Sequence, residues 1–189
     1  TELTESLKGL PTRTTQFGRF DKGLAYTILM KYYMHEKNWA KAEECGRELL
    51  KAEYGYGLMD RYADIFTLEN EGNKEIIFAC TEERGTNLQL WHDHALPGNY
   101  PTQNTAIQKW DGYKVPWPFY RTFEEGDDRL SVLVGEYVGT DGVLFNEESD
   151  IAKHGNLYSG AVPVKYGEDP ESTGDGSQID LVVYRYADV

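Results

Sequence analysis

The sequence is poor in cysteine and in positive charge. Only two cysteines, Cys45 and Cys80, occur among 189 residues, which excludes a fold built on several disulfides. Because free cysteine packs as a small hydrophobic residue, we expect two buried thiols rather than a disulfide bond between them. Lys and Arg number 19 against 32 Asp and Glu, so the formal net charge is -13. This charge repels nucleic-acid phosphates and anionic membrane surfaces, and neither is an expected partner.

Long hydrophobic runs and catalytic motifs are missing as well. No apolar stretch approaches the length of a membrane-spanning helix, and no signal peptide is present. The sequence contains no Gly-x-Ser-x-Gly motif, P-loop or dinucleotide-binding fingerprint. Adjacent acids, Glu124/Glu125 and Glu147/Glu148, are a possible pair for glycoside hydrolysis, but such acids in hydrophilic segments are usually solvated charge. We therefore predict a protein that is not an enzyme and that needs no cofactor.

Aromatic side chains, in contrast, are abundant. The chain has 14 Tyr, 7 Phe and 4 Trp, which make up 13% of its residues. Hydrophobic residues reach 40%, as in a globular chain with one core. With a mean hydropathy of -0.61, so polar a chain is expected to leave some of these rings exposed. Exposed rings usually stack on a partner, so the composition favours a ligand-binding protein.

Helical periodicity is clearest near the start of the chain. Residues 21–34 have apolar side chains at helical spacing, with Asp21 as a plausible N-cap. Asn38 can cap a second helix, which begins near Trp39. Its apolar stripe consists of Ala42, Cys45, Gly46, Leu49 and Leu50. The short connection predicts an antiparallel hairpin over 18–54, similar to a tetratricopeptide repeat, whose faces need further partners and whose Trp39 belongs to the scaffold.

The rest of the chain is less regular. The stretch RYADIF predicts a short helical turn, and Ile76 to Ala79 predicts an apolar strand. Residues 81–129 show no clean period and contain many Gly, Pro and Asn; a long irregular segment of this kind is usually functional. Residues 130–145 predict a β-hairpin with Asp141-Gly142 at its turn.

Several segments, in this order, resemble motifs of one family. They are LPTRTTQFGRFDKGLAYTILMKYYM, NWAKAEECGRELL with a following YGL, YADIF, NKEIIF, FEEGDDRL, and KYGEDP with DLVVYRYADV. Together they resemble the SusD/RagB family of outer-membrane nutrient-binding lipoproteins of Bacteroidetes. The resemblance covers most of the chain except roughly 84–109. Members of that family are longer and carry a lipidated N-terminal cysteine, so we expect this chain, which opens without Met, to be an internal piece.

The resemblance implies a fold and a function. The fold is mainly α: a single SusD-like domain fragment over 1–189, with a TPR-like hairpin of an α/α superhelix at 18–54. A long irregular segment and a short β-hairpin form the variable ligand-binding region at 81–165. The implied function is non-catalytic capture of an oligosaccharide at the cell surface, for delivery to a TonB-dependent SusC-like transporter. The membrane link would be a lipid anchor outside this chain. A helical-repeat interaction module without its own ligand site is the alternative.

The aromatic residues of the irregular segment are the candidate ligand site. A sugar ring packs its C–H groups on an aromatic face while amides and carboxylates bond its hydroxyls. The predicted ligand-binding residues are Trp91, Tyr100, Trp110, Tyr113, Asn99 and Asp111, with Gln103 and Asn104 as further polar neighbours. Trp91 and Tyr100 rank first because they lie where the family motifs are absent. The alternative is that some rings anchor the loop to the scaffold, above all Trp117 between two prolines.

Two acidic or histidine-rich stretches bear on metal binding. In WHDH, His92 and His94 would share one side of a strand, as a metal pair requires, but no third His or Cys ligand is apparent nearby. Residues 169–180 place oxygen-bearing side chains at several calcium-loop offsets, although Pro170 and the final Asp180 depart from that pattern. We interpret both stretches as solvated loops and predict no metal.

Overall fold

The fold is described by a computed structural model that covers residues 2–151, 153 and 155–189. Helix accounts for 33% of the chain and strand for 15%, so the expected excess of helix over strand is confirmed. No helix in the described part of the chain combines the length and the apolar character needed to cross a membrane.

The chain divides into two compact units. The first comprises Thr1–Asp60, Gly72–Thr81 and Leu181–Val189, and the second comprises Arg61–Glu71 and Glu82–Asp180. Each unit is therefore assembled from separate stretches of sequence.

The first unit contains the helical hairpin. Its helices are α1 (Glu2–Ser6), α2 (Lys22–His35) and α3 (Trp39–Leu49). The Asp21 carboxylate accepts a hydrogen bond from Leu24 N at 2.9 Å, and the Asn38 side chain accepts one from Lys41 N at 3.3 Å. Both predicted N-caps are confirmed, because each side chain satisfies an amide that the first helical turn leaves without a partner.

The interface of α2 and α3 is a small apolar cluster. Its buried members are Leu29, Met30, Ala42 and Cys45. A Cβ added at Gly46 would lie 3.5 Å from the Met30 sulfur, which is ordinary van der Waals contact, so the backbone of α3 lies close to Met30 at this position. Two residues of the helical pattern are not covered within this unit: Leu50, predicted on the buried stripe, is 56% exposed, and Trp39 is 62% exposed.

A two-stranded antiparallel sheet completes the first unit. The predicted strand is confirmed as β1 (Ile76–Cys80), and it pairs with β7 (Leu181–Arg185), which precedes a short 3-10 turn. Both cysteines are free, as expected, but the burial prediction is wrong for one of them. Cys45 is buried between the helices, whereas Cys80 is exposed, because it ends the strand on the side opposite to the buried Ala79.

The second unit is built from short elements. They are α4 (Trp91–Ala95), β2 (Val115–Pro116), α5 (Trp117–Tyr120), β3 (Leu133–Val134), β4 (Glu136–Val138), β5 (Leu144–Asn146), α6 (Glu147–Ile151) and β6 (Gly160–Pro163). RYADIF forms the predicted turn, a 3-10 helix at Ala63–Phe66. β6 is the central strand between β2 and β3, and β4 pairs with β5. The predicted hairpin turn is confirmed, with Gly142 at φ 76°, but the hairpin is shorter than 130–145.

The core of the second unit lies around β6. Its buried residues are Ala95, Leu96, Ile107, Trp117, Tyr137, Leu157, Ala161 and Val162. The Trp117 indole donates a hydrogen bond to the Leu157 carbonyl at 2.9 Å and is 7% exposed. Trp117 is therefore a structural anchor, as the alternative interpretation of the Pro-Trp-Pro sequence proposed.

Candidate ligand-binding surface

Helix α4 and the adjacent Leu96 hold the loop 110–113 through four main-chain hydrogen bonds. Trp110 N donates to Asp93 O at 2.6 Å, and Asp111 N donates to Leu96 O at 3.1 Å. The amides of Gly112 and Tyr113 both donate to the carbonyl of His94. Asp111 has φ 57°, a left-handed conformation that costs a non-glycine residue about 1 kcal/mol. The loop 110–113 therefore has a shape set by these bonds rather than by local preference.

Two exposed rings flank an imidazole on this loop. Trp110 is 45% exposed and Tyr113 is 44% exposed. The His94 ring lies edge-on to Trp110, with centroids 4.9 Å apart, and stacks on Tyr113, also at 4.9 Å. We call Trp110, His94 and Tyr113 the aromatic platform. The two exposed rings are held in place because each of them contacts the His94 ring.

Trp91 and Tyr100, which ranked first in the sequence, are half-buried. The Trp91 indole donates to the Pro163 carbonyl at 2.9 Å, and its ring centroid lies 5.5 Å from that of Tyr113. The Tyr100 ring packs on Tyr137 at 5.0 Å, and burial raises the pKa of Tyr100. Both rings thus have less free surface than Trp110 and Tyr113.

The polar residues predicted for the site make different contacts. The Asn99 side-chain oxygen accepts hydrogen bonds from the Tyr137 hydroxyl at 2.9 Å and from Asn156 Nδ2 at 2.7 Å, so it serves the core. Asp111 is exposed on the platform loop and pairs with Lys114.

The Asn104 amide is also engaged internally. Its Nδ2 donates to the carbonyls of Asp169 at 3.0 Å and Ser172 at 2.9 Å. Gln103, by contrast, is exposed. Of the four amide and carboxylate residues considered, Asp111 and Gln103 are the ones open to a ligand.

The two histidines of WHDH do not form a pair. The stretch is helical instead of extended, so residues two apart point in different directions. His92 is 3% exposed, and its Nε2 lies 3.3 Å from Asp93 Oδ2, although neither ring nitrogen has a hydrogen-bond partner. Burial lowers the pKa of His92 and raises the pKa of Asp93. Among the described residues no group of three or more His, Cys, Asp or Glu could hold a metal ion.

The acidic loop 169–180 is closed by its own hydrogen bonds. Asp169 is completely buried, and its carboxylate accepts from Glu171 N and Gln178 N, both at 2.9 Å, and from the Arg84 guanidinium at 3.1 Å. The side chain at the first calcium-loop position is therefore occupied. The acidic pairs considered for glycoside hydrolysis lie elsewhere: Glu147 pairs with Arg121, and Glu124 is exposed.

A cavity of about 200 Å³ lies beside the platform, and its wall includes Trp91, whose ring packs against the platform residue Tyr113. Its lining residues are Trp91, His92, Ala95, Leu96, Tyr100, Pro163, Val164, Tyr166, Gly167 and Glu168. A polar groove of about 580 Å³ shares Glu168 and adds Glu69 and Gln103. We call these hollows the aromatic cavity and the polar groove. Sequence reasoning missed Tyr166 and Glu168, because KYGEDP had been interpreted only as a family motif.

Comparisons with known proteins give a fold. No family model matches the sequence, and no curated protein matches it. Solved structures do match over nearly the whole chain. Surface glycan-binding protein A from Bacteroides thetaiotaomicron, in complex with laminarihexaose, superposes with a TM-score of 0.72 at 19% identity, over 98% of this chain and 45% of that one.

Two further structures agree. A SusD superfamily protein from Parabacteroides distasonis has a TM-score of 0.72 at 17% identity and covers 99% of this chain and 42% of that one. A laminarin binding SusD-like protein has a TM-score of 0.68 at 20% identity, over 99% of this chain and 46% of its own. The chain thus spans less than half of the length of these structures. The resemblance noted in the sequence is confirmed at the level of the fold, which this chain shares with structures of SusD superfamily proteins.

Proposed function

We propose that this protein binds a neutral oligosaccharide on the aromatic platform and performs no chemistry on it. The observation that carries the proposal is the pair of exposed rings, Trp110 and Tyr113, supported by His94 on a loop of fixed shape. A platform formed before binding loses little conformational entropy when a ligand arrives. This is the arrangement that stacking on a sugar ring requires.

The other predicted residues take supporting positions in this proposal. Trp91 packs against Tyr113, and Tyr100 and Asn99 both contact Tyr137 in the core of the unit. Asp111 lies between the two platform rings in sequence, and its carboxylate, which pairs with Lys114 through Oδ1, would accept hydrogen bonds from sugar hydroxyls. The ligands named for similar structures, laminarihexaose and laminarin, support a neutral glycan. A neutral ligand also avoids repulsion from a chain of net charge -13.

For the whole protein we infer a place at the cell surface. The similar structures include surface glycan-binding proteins of Bacteroides, which supports glycan capture before uptake. Delivery to a TonB-dependent SusC-like transporter and attachment through a lipid anchor follow from the sequence resemblance. We further infer that α2 and α3 are one TPR-like pair of a larger α/α superhelix, because Trp39 and Leu50 leave an apolar face of the hairpin open.

The same open face favours a second candidate function. Met34, Trp39 and Leu50 are 49%, 62% and 56% exposed and line one groove of about 410 Å³. An exposed apolar groove of this kind suits contact with another protein. In this alternative the hairpin is the functional surface, and the platform rings are structural.

Calorimetric titration with laminarihexaose and a panel of neutral oligosaccharides tests the glycan proposal. Trp110→Ala and Tyr113→Ala are each expected to weaken binding roughly tenfold, since loss of one stacking ring removes about 1.4 kcal/mol. Phe119→Ala is the matched control, because Phe119 is 57% exposed in the same unit and packs on Phe123 instead.

The results separate the two functions. Wild-type affinity in both platform variants, or an equal loss in the Phe119 variant, would contradict stacking on the platform. A double platform variant that no longer binds glycan but still captures a protein partner would assign that partner to another surface, as the second candidate function requires.

A further inference from the structure

The aromatic cavity is too small for an oligosaccharide. Its volume of about 200 Å³ equals roughly seven water molecules at the 30 Å³ that each occupies in the liquid. Most of its wall is apolar, from Ala95, Leu96, Pro163 and Val164 and from three aromatic residues, Trp91, Tyr100 and Tyr166; His92, Gly167 and Glu168 make up the rest. A ligand that enters it must be a compact group of a few heavy atoms with an apolar exterior.

The three aromatic residues of this cavity are held in place. Trp91 is tied to the Pro163 carbonyl, and its ring lies edge-on to Tyr166 with centroids 5.6 Å apart. Tyr100 packs on Tyr137. Aromatic faces carry negative electrostatic potential and attract cations. Tyr166 already shows this property, because the Lys165 ammonium lies 5.6 Å from its ring centroid.

The charge at the cavity is negative. Glu168 is the only Lys, Arg, Asp or Glu among the residues that line it. Glu168 Oε2 accepts hydrogen bonds from Gln103 N at 2.9 Å and Asn104 N at 3.2 Å, which hold the carboxylate in position. The neighbouring polar groove adds a second carboxylate, Glu69, and again no Lys or Arg is in its lining.

The nearby basic groups do not reverse this charge. The Lys109 ammonium donates to the Tyr100 carbonyl at 2.7 Å and is not part of the lining. His92, which is in the lining, is kept neutral because burial lowers its pKa. Neither Lys109 nor Lys165, whose ammonium lies beside the Tyr166 ring, lines the cavity, so a cation that enters it meets the Glu168 carboxylate and three aromatic rings.

The apolar wall selects among cations. A primary ammonium carries three N–H donors, and the aliphatic side chains of the wall accept none of them, so hydrogen bonds that it makes to water would be lost there without replacement. An alkylated ammonium spreads its charge over methyl groups and needs few hydrogen bonds. We propose that the aromatic cavity binds a small alkylated ammonium group, with the charge balanced by Glu168 and the methyl groups against Trp91, Tyr100 and Tyr166. This ligand class and site differ from the glycan and the platform proposed above.

Choline and 3,3-dimethylbutan-1-ol provide a test, because they share one shape and differ in charge. We expect choline to bind the whole chain at least about fivefold more tightly than the alcohol, as attraction to the rings and the carboxylate predicts. Calorimetry and the fluorescence of Trp91 report binding. Equal affinities, or no binding of choline up to millimolar concentrations at which the protein stays folded, would overturn the proposal without any variant.

Glu168→Gln tests the charge itself. The Gln side chain retains an oxygen that can accept from Gln103 N and Asn104 N, so the fold is expected to persist. Choline affinity should fall about fivefold, and affinity for the neutral alcohol should not change. Glu171→Gln is the control, because Glu171 is exposed in the same segment and bonds Gln178 Nε2 instead of lining the cavity. Unchanged choline binding in Glu168→Gln, or an equal loss in Glu171→Gln, would contradict the assignment.

Discussion

The substitution Gly160→Ala should disrupt the second unit through a single methyl group. A Cβ at position 160 would lie 2.0 Å from the Val115 carbonyl oxygen and 2.5 Å from its carbon. These are backbone atoms, so no side-chain rotation relieves the clash, and β2 must move away from β6 by about 1 Å to reach the 3.0 Å that real Cβ atoms tolerate. We estimate a loss of about 3 kcal/mol in the free energy of unfolding: about 1 to 3 for overpacking and about 1 for each β2–β6 hydrogen bond that breaks.

Urea unfolding followed by tryptophan fluorescence measures this loss. Three of the four tryptophans, Trp91, Trp110 and Trp117, lie in the second unit, so the signal reports mainly on that unit. Gly98→Ala is the control, because a Cβ there meets nothing within 4 Å, and its effect should stay within about 0.5 kcal/mol. A loss below about 1 kcal/mol in Gly160→Ala would refute the reasoning, since it would mean that β2 moves freely.

Two further predictions concern titratable groups. Burial raises the pKa values of Asp180, Glu71 and Glu82, and the Asp180 charge adds a smaller rise to the pKa values of Glu71 and Glu82. A carboxyl group whose folded pKa exceeds its unfolded value of about 3.8 destabilises the fold above that pKa and regains stability as the pH falls through it. Asp180→Asn should therefore be more stable than wild type in urea at pH 7, by a margin that shrinks towards pH 4; a constant or inverted margin would disprove this. A thiol reagent should label only Cys80 in the native protein and both cysteines in urea, because Cys45 is buried and burial raises its pKa; labelling of two thiols before unfolding would contradict the buried position.

The features that the sequence predicted correctly depend on residues that are close together in the chain. The helices, their caps at Asp21 and Asn38, and the turn at Gly142 depend on residues within a few positions of each other. The exposure of Cys80 depends instead on which face of β1 is covered at that end, and an uninterrupted apolar run does not show that face. The same reason explains why Leu50, in phase with a buried stripe, lies in solvent.

The candidate site was only partly accessible to such reasoning. Composition and spacing identified the aromatic segment, and Trp110 and Tyr113 are its exposed rings. The sequence could not rank the rings by exposure, because their exposure depends on the hydrogen bonds that hold the loop 110–113. Glu168 reaches the same region from about 70 positions further along the chain than α4, and a single sequence carries no signal for that approach.

The pairing of β1 with β7 also distinguishes sequence changes between these two strands from changes in the helical hairpin. Cys80 and Leu181 are partners in one ladder, so residues 82–180, which belong to the second unit, form an excursion between these two strands. The entropy of closing such a loop rises by only about 0.6 kcal/mol when its length doubles. Surface segments within the excursion can therefore be lengthened, shortened or exchanged at little energetic cost to the strand pair that bounds it. Specificity for a new ligand can in this way be rewritten while the helical hairpin keeps its sequence.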